Sequence, residues 1–182
     1  MPAAPDAPRV LVAALGHAWL RDQAFGLHVA AELRRRNVSS RGGGNGSVEV
    51  VDWSFGTIAA FQKLSDQRYD RAILVSGTSR GRRPGSLHRF VPAAVLPPPA
   101  EIQARIADCV MGLVSVDNLL ILGRYFGALP DDVVLIEAEP ADETWGDRLS
   151  PEVARVLDAG VAAVLKEIAR PLALERGTGM LR

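Results

Sequence analysis

The chain has 182 residues, 48% of them hydrophobic and 23% charged, and its 21 Lys and Arg balance 21 Asp and Glu to a formal net charge of zero. Such a composition excludes an intrinsically disordered chain, and the balance excludes binding of nucleic acid or an anionic membrane by bulk electrostatics. A single cysteine, Cys109, excludes an internal disulfide framework and a cysteine-rich zinc cage.

No apolar run reaches the ~18 residues that a membrane span needs. The opening MPAAPDAP has neither a basic region nor a long apolar core, so it is expected to be a lead-in rather than a signal peptide. The expectation is a soluble, cytoplasmic protein with no nucleic-acid or membrane partner. It has a disordered lead over 1–8, one domain over 9–170 and a flexible tail over 171–182.

In chain order, Arg9 to Leu15 (RVLVAAL) is a short apolar run ending at Gly16, the pattern of a strand buried on both faces. Residues 24–36 place Phe25, Val29, Ala30 and Leu33 on one helical stripe and end in three arginines, as suits a helix C-terminus. Ser39 to Ser47 (SSRGGGNGS) is a loop composition. Val48 to Trp53 is the next strand, Thr57 to Leu64 a short helix and Arg71 to Ser76 (RAILVS) a third buried strand.

Residues 77–99 are rich in Gly, Pro and Arg, with a short strand at Ser86 to Phe90. The prolines at 97, 98 and 99 argue against helix there. Arg80, Arg82 and Arg83 form a basic loop, expected to be solvated. A helix over about Val114 to Phe126 stops at Gly127 and Pro130, Asp132 to Glu137 (DVVLIE) is the last central strand, and Asp142 to Arg148 is a polar turn. Ser150-Pro151-Glu152 supplies an N-cap and a proline at the first helical position. One long helix is expected to follow, with Val153, Val156, Leu157, Val161, Val164, Leu165 and Ile168 on its apolar side. The alternation predicts an α/β three-layer sandwich, a mostly parallel twisted sheet with helices on both faces.

Ligands in such folds sit outside the C-terminal ends of the strands, which here are Gly16 to Gln23, Asp52 to Thr57 and Ser76 to Gly81. The first turn, Gly16-His17-Ala18-Trp19-Leu20-Arg21, lacks both the glycine spacing of a dinucleotide site and a Gly-Lys-Ser/Thr phosphate loop. Ser76 ends a strand without a G-x-S-x-G elbow, and His17 or His88 would have to act as its base. His17, His28 and His88 do not have metal-ligand spacing.

Several segments, taken in order, resemble the hydrogenase maturation proteases. They are Gly16-x-x-x-Leu20-Arg21-Asp22-x-x-x-Gly26-x-x-Val29-Ala30, Val50-Val51-Asp52 with Gly56-Thr57, and Tyr69-Asp70-Arg71-Ala72-Ile73-Leu74-Val75. Further on come Pro84-Gly85-Ser86-Leu87-His88-Arg89-Phe90, Glu139-Pro140 through Trp145-Gly146, and Leu149-Ser150-Pro151-Glu152-Val153, so the resemblance spans roughly residues 9–168. It implies an endopeptidase scaffold that trims the C-terminal extension of a nickel–iron hydrogenase large subunit. Two carboxylates and a histidine then hold the nickel of that immature partner, which is part of the substrate.

Each of those ligand positions is substituted. The resemblance puts Gln23 where the first carboxylate would stand and Ser76 where the second would. The histidine position falls on Cys109, or on Gly112 if the following helix is the anchor. Gly16, Asp22, Gly26, Asp52 and Gly112 would support the cleft. Gln and Ser are weak nickel ligands, and without the carboxylates the site loses its −2 charge. The expectation is a protein of hydrogenase maturation that binds no cofactor stably, acts on the large subunit or other maturation factors, and does not cleave in the nickel-dependent way. The alternatives are an endopeptidase with altered chemistry, using Cys109, Asp22, Asp52 or Asp108, and an unrelated small-molecule-binding α/β protein.

Overall fold

A computed structural model describes residues 8–38, 47–54, 57–110 and 115–172. Most of the lead, the glycine-rich segment, Gly56, Gly112 and most of the tail lie outside the described residues. The elements in chain order are β1 (Arg9–Leu15), a 3₁₀ turn (Arg21–Ala24), α1 (Phe25–Arg35), β2 (Ser47–Trp53), α2 (Thr57–Asp66), β3 (Arg71–Gly77), β4 (Leu87–Phe90), α3 (Pro99–Val110), α4 (Val116–Tyr125), β5 (Asp132–Ala138), α5 (Pro151–Ala154) and α6 (Leu157–Ala169). Among these described residues no helix is long and apolar enough to cross a membrane.

The five strands form one sheet in the order β2-β1-β3-β5-β4, parallel except for β4, which runs antiparallel to β5. The continuous apolar runs of β1 and β3 are explained by burial on both faces. Val10, Val12 and Ala14 meet Phe25, Val29 and Leu33 of α1 and Val161 and Val164 of α6. Leu11, Ala13 and Leu15 face the other way, toward Ala60 and Leu64 of α2 and Leu119 of α4. Each fully buried Leu, Ile or Phe in these layers contributes roughly 1.5–3 kcal/mol.

The structure corrects two expectations. Helix α3 starts at Pro99 itself, because a proline at the first helical position lacks only an N–H that would have had no intrahelical partner. Its Ile102 and Cys109 pack with Leu122 outside the α4 layer, a short stripe that the proline run masked. The helix after Ser150 is also two pieces. Ser150 caps it as expected, its hydroxyl accepting the Val153 N–H at 3.2 Å. The Val156 N–H then bonds the Val153 carbonyl at 3.1 Å, and this tight i→i−3 turn separates α5 from α6.

Candidate functional site

The chain leaves β1 for β2 on one side and returns to β3 on the other, so the crossover direction reverses between β1 and β3. A crevice is expected above the C-terminal ends of two such strands. A cleft of ≈170 Å³ lies there, lined by Leu15 and Gly16 after β1, Ser76, Gly77, Thr78 and Ser79 after β3, and also by His17, Gln23, Ser115, Val116, Asp117 and Glu143.

Close backbone approach puts Gln23 in this wall. Gly16 turns the chain at φ +143°, and a Cβ on it would lie 1.8 Å from the Gln23 carbonyl oxygen. A Cβ on Gly77 would lie 1.9 Å from the Asp22 carbonyl oxygen and 3.2 Å from the Gln23 Cα. The 3₁₀ turn therefore rests directly on the strand ends. Gly26 serves the same approach one turn later, since a Cβ there would lie 2.2 Å from the Val75 carbonyl oxygen.

Asp22 is fully buried and works as a clasp. One carboxylate oxygen accepts the Ala141 and Asp142 N–H groups and the Ser150 hydroxyl, each at 2.8 Å, and the other accepts the Ser150 N–H at 2.7 Å. A carboxylate oxygen with those partners has little capacity left for a reacting atom. The backbone reinforces the joint: the Arg21 N–H donates to the Gly146 carbonyl at 3.1 Å, and the Gly146 N–H to that of Trp19 at 3.0 Å. Asp22 thus ties loop 139–150 to the 3₁₀ turn, while its neighbour Gln23 faces the cleft and donates through Nε2 to Glu143 at 2.9 Å.

The structure brings Gln23 and Ser76 together at one cleft and places Cys109 elsewhere, buried with Ile102 and Leu122. Gly112 lies outside the described residues. Asp52 is exposed at the end of β2, where it accepts the Ser54 N–H at 2.9 Å. The Ser76 and Thr78 hydroxyls are paired at 2.8 Å. His17 lines the same cleft, whereas His88 bonds Ser86 at 2.8 Å. Ser86 gives its proton to the Arg83 carbonyl at 2.6 Å, so the His88 ring nitrogen is the donor toward Ser86, the reverse of a base activating a nucleophile. Among the described residues no three His, Cys, Asp or Glu side chains group as a metal site.

Two acids that the sequence did not single out complete the cleft, and Arg80 braces one of them from behind. Asp117 and Glu143 both line it, so its wall carries carboxylates although Gln23 and Ser76 do not. Arg80 grips Asp117 with two bonds of 2.8 and 2.9 Å and also bonds buried Glu137 at 2.9 Å, while its N–H meets Glu139 at 2.9 Å. Arg82 joins Glu137 at 3.2 Å. These partners, Glu137 first, raise the Arg80 pKa further above its already high ordinary value. The basic loop is therefore not simply solvated: Arg80 and Arg82 turn inward onto the end of β5. The available signal was Ser115, which caps α4 by accepting the Asn118 N–H at 3.1 Å and so puts Asp117 in the first turn.

No family model and no curated protein sequence matches the chain. Solved structures do. The hydrogenase maturating endopeptidase HybD from E. coli superposes with a TM-score of 0.62 at 20% identity, over 88% of this chain and 91% of that one. The nickel–iron hydrogenase maturation protease HybD from Thermococcus kodakarensis gives 0.60 at 20%, over 89% and 99%. A hydrogenase 2 maturation peptidase from a Thaumarchaeota archaeon gives 0.57 at 24%, over 88% and 98%. The chain has the hydrogenase maturation protease fold. The resemblance read from the segments around Gly16, Asp22, Pro84 and Ser150 and the three-dimensional likeness therefore point the same way. Within this fold the cleft lies at the ends of β1 and β3.

Proposed function

We propose that the protein acts in nickel–iron hydrogenase maturation by engaging the immature large subunit at this cleft, without nickel-dependent cleavage. One observation carries the reading: a scaffold shared with maturation proteases over 88% of the chain has Gln23 and Ser76 at the cleft positions where the resemblance calls for carboxylates. Neither side chain is charged, and Gln23 is held toward Glu143. The nearby carboxylate of Asp117 is already neutralised by Arg80. At positions 23 and 76 a divalent ion carried by the partner would meet an amide and a hydroxyl, which hold nickel weakly, in place of two carboxylates.

Of the acids and thiol considered for an altered cleavage chemistry, Asp22 is saturated with donors, Asp52 is outside the cleft, and neither Cys109 nor Asp108 lines it. The test is to incubate the protein with nickel-loaded precursor large subunit and to follow complex formation and the mass of the precursor. A stable complex with unchanged precursor mass is the expected result. Loss of the C-terminal extension that depends on the protein overturns the non-cleaving reading, and absence of any complex overturns the partner.

A further inference from the structure

Two tryptophans stand in the open where an indole is costly to leave: Trp19 is 59% exposed and Trp145 is 79% exposed, while Trp53 is buried. Large aromatics that expose most of their surface beside a cleft mark contact sites, since each can bury 150–250 Å² on a partner. The fold brings these two together from distant parts of the chain. Trp19 follows His17 by two residues and Trp145 follows Glu143 by two, and both of those neighbours line the cleft. The bond from the Gly146 N–H to the Trp19 carbonyl at 3.0 Å and the Asp22 clasp hold the two segments side by side. The aromatic lip is thus presented on a frame already ordered, which removes much of the ordering cost of docking.

The charge around the lip selects the occupant. Arg21, packed on Gly146 within the lip, is answered by Asp142 at 3.3 Å, and no lysine or arginine is among the described residues lining the cleft, whereas Asp117 and Glu143 are. Asp117 is answered by Arg80, but exposed Glu143 has, among the described residues, only the neutral Gln23 amide as its hydrogen-bond donor. A carboxylate on the same segments as two exposed indoles suits a cationic side chain, which gains from the charge and from the aromatic faces together. We propose that Trp19, Trp145 and Glu143 form a docking lip for a partner segment carrying Lys or Arg among apolar side chains. Resting on the reading above, that segment belongs to the immature hydrogenase large subunit.

The experiment measures the Kd of the purified precursor large subunit for the full-length protein and its variants. Trp19→Ser with Trp145→Ser is expected to weaken binding at least ten-fold, with unchanged circular dichroism because both indoles are exposed. Glu143→Lys is expected to weaken it several-fold at low salt and less at high salt. Tyr125→Ser with Phe126→Ser, aromatics that are also exposed but lie at the far end of α4, is expected to leave Kd unchanged. Wild-type binding that the tryptophan pair does not alter, or that the Tyr125 and Phe126 pair alters equally, overturns the lip and leaves the maturation reading standing. Tighter binding by Glu143→Lys overturns the basic occupant. No binding by the wild type overturns the maturation reading, and the docking proposal with it.

Discussion

The two ends of the sheet are built from the same kinds of residue and put them to different use. At the N-terminal ends of β3 and β5, Arg71 is fully buried and donates to Asp132 at 2.8 Å and to the carbonyls of Glu167, Arg170 and Pro171 at the end of α6. Arg170 also meets Asp132 and Glu167, and Arg89 meets Glu167, so that end is closed by a ring of mutually satisfied charges. At the C-terminal end Arg80 and Arg82 build a similar network on Glu137 over β5, but over β1 and β3 a single carboxylate, Asp22, closes the loops. The polar groups beside it, Gln23, Ser76 and Glu143, are left facing a cleft. Over β1 and β3 one buried clasp leaves its neighbours available to a ligand, whereas the ring around Arg71 satisfies its own members.

That contrast is broken most severely at Asp22. Asp22→Ala orphans three backbone N–H groups and a hydroxyl in the interior, at a cost of about 4 kcal/mol in urea unfolding. Loop 139–150 is expected to gain protease sensitivity before the sheet melts. At the other end, Arg71→Met is expected to cost less, about 2–3 kcal/mol, because Asp132 keeps Arg170 at 2.7 Å while the α6 carbonyls lose their donor. An Arg71→Met effect larger than that of Asp22→Ala would contradict the view that the network end shares its load.

The sheet was legible because β1, β3 and β5 are buried on both faces, and such strands show as unbroken runs such as RVLVAAL and RAILVS. The Ser150 cap was legible because its hydroxyl acts on a residue three positions away. The break at Val156 was not, since the apolar stripe continues through it and only the turn hydrogen bond reveals it. At the site, Gln23 and Ser76 stood out because the resemblance set them where two carboxylates would stand. The clasp on Asp22 joins residues more than 100 apart, and no local pattern announces it. Glu143 and Asp117 reach the cleft from a turn and a helix start, elements whose direction depends on packing rather than on spacing.

A third prediction asks whether the open end can be made to hold a cation. Gln23→Glu with Ser76→Asp puts two carboxylates beside Glu143, and crowded like charges favour a divalent ion. Nickel affinity by calorimetry is expected to rise at least ten-fold over the wild type. Adding Cys109→His is expected to change it less than two-fold, because position 109 packs against Ile102 and Leu122 rather than lining the cleft. A large gain from that third substitution would place residue 109 at the site and require α3 to sit differently.

The smallest effect belongs to the closed end and concerns pH. Burial alone would raise the Glu167 pKa, but hydrogen bonds from Arg89 and Arg170 outweigh it and hold the group below its ordinary 4.5. A carboxyl depressed in the folded state contributes stability that is complete above its unfolded pKa and is lost as pH falls through the folded one. The urea midpoint is therefore expected to be flat in this respect at neutral pH and to decline below about pH 4.5. Glu167→Gln is expected to be less stable at pH 7 and to approach the wild type as the pH is lowered, since protonation removes from the wild type what the substitution has already removed. Parallel curves for the two proteins from pH 7 to pH 3 would mean that Arg89 and Arg170 hold Glu167 no more tightly in the folded chain than water does in the unfolded one, and the closed end would then owe its order to Arg71 alone.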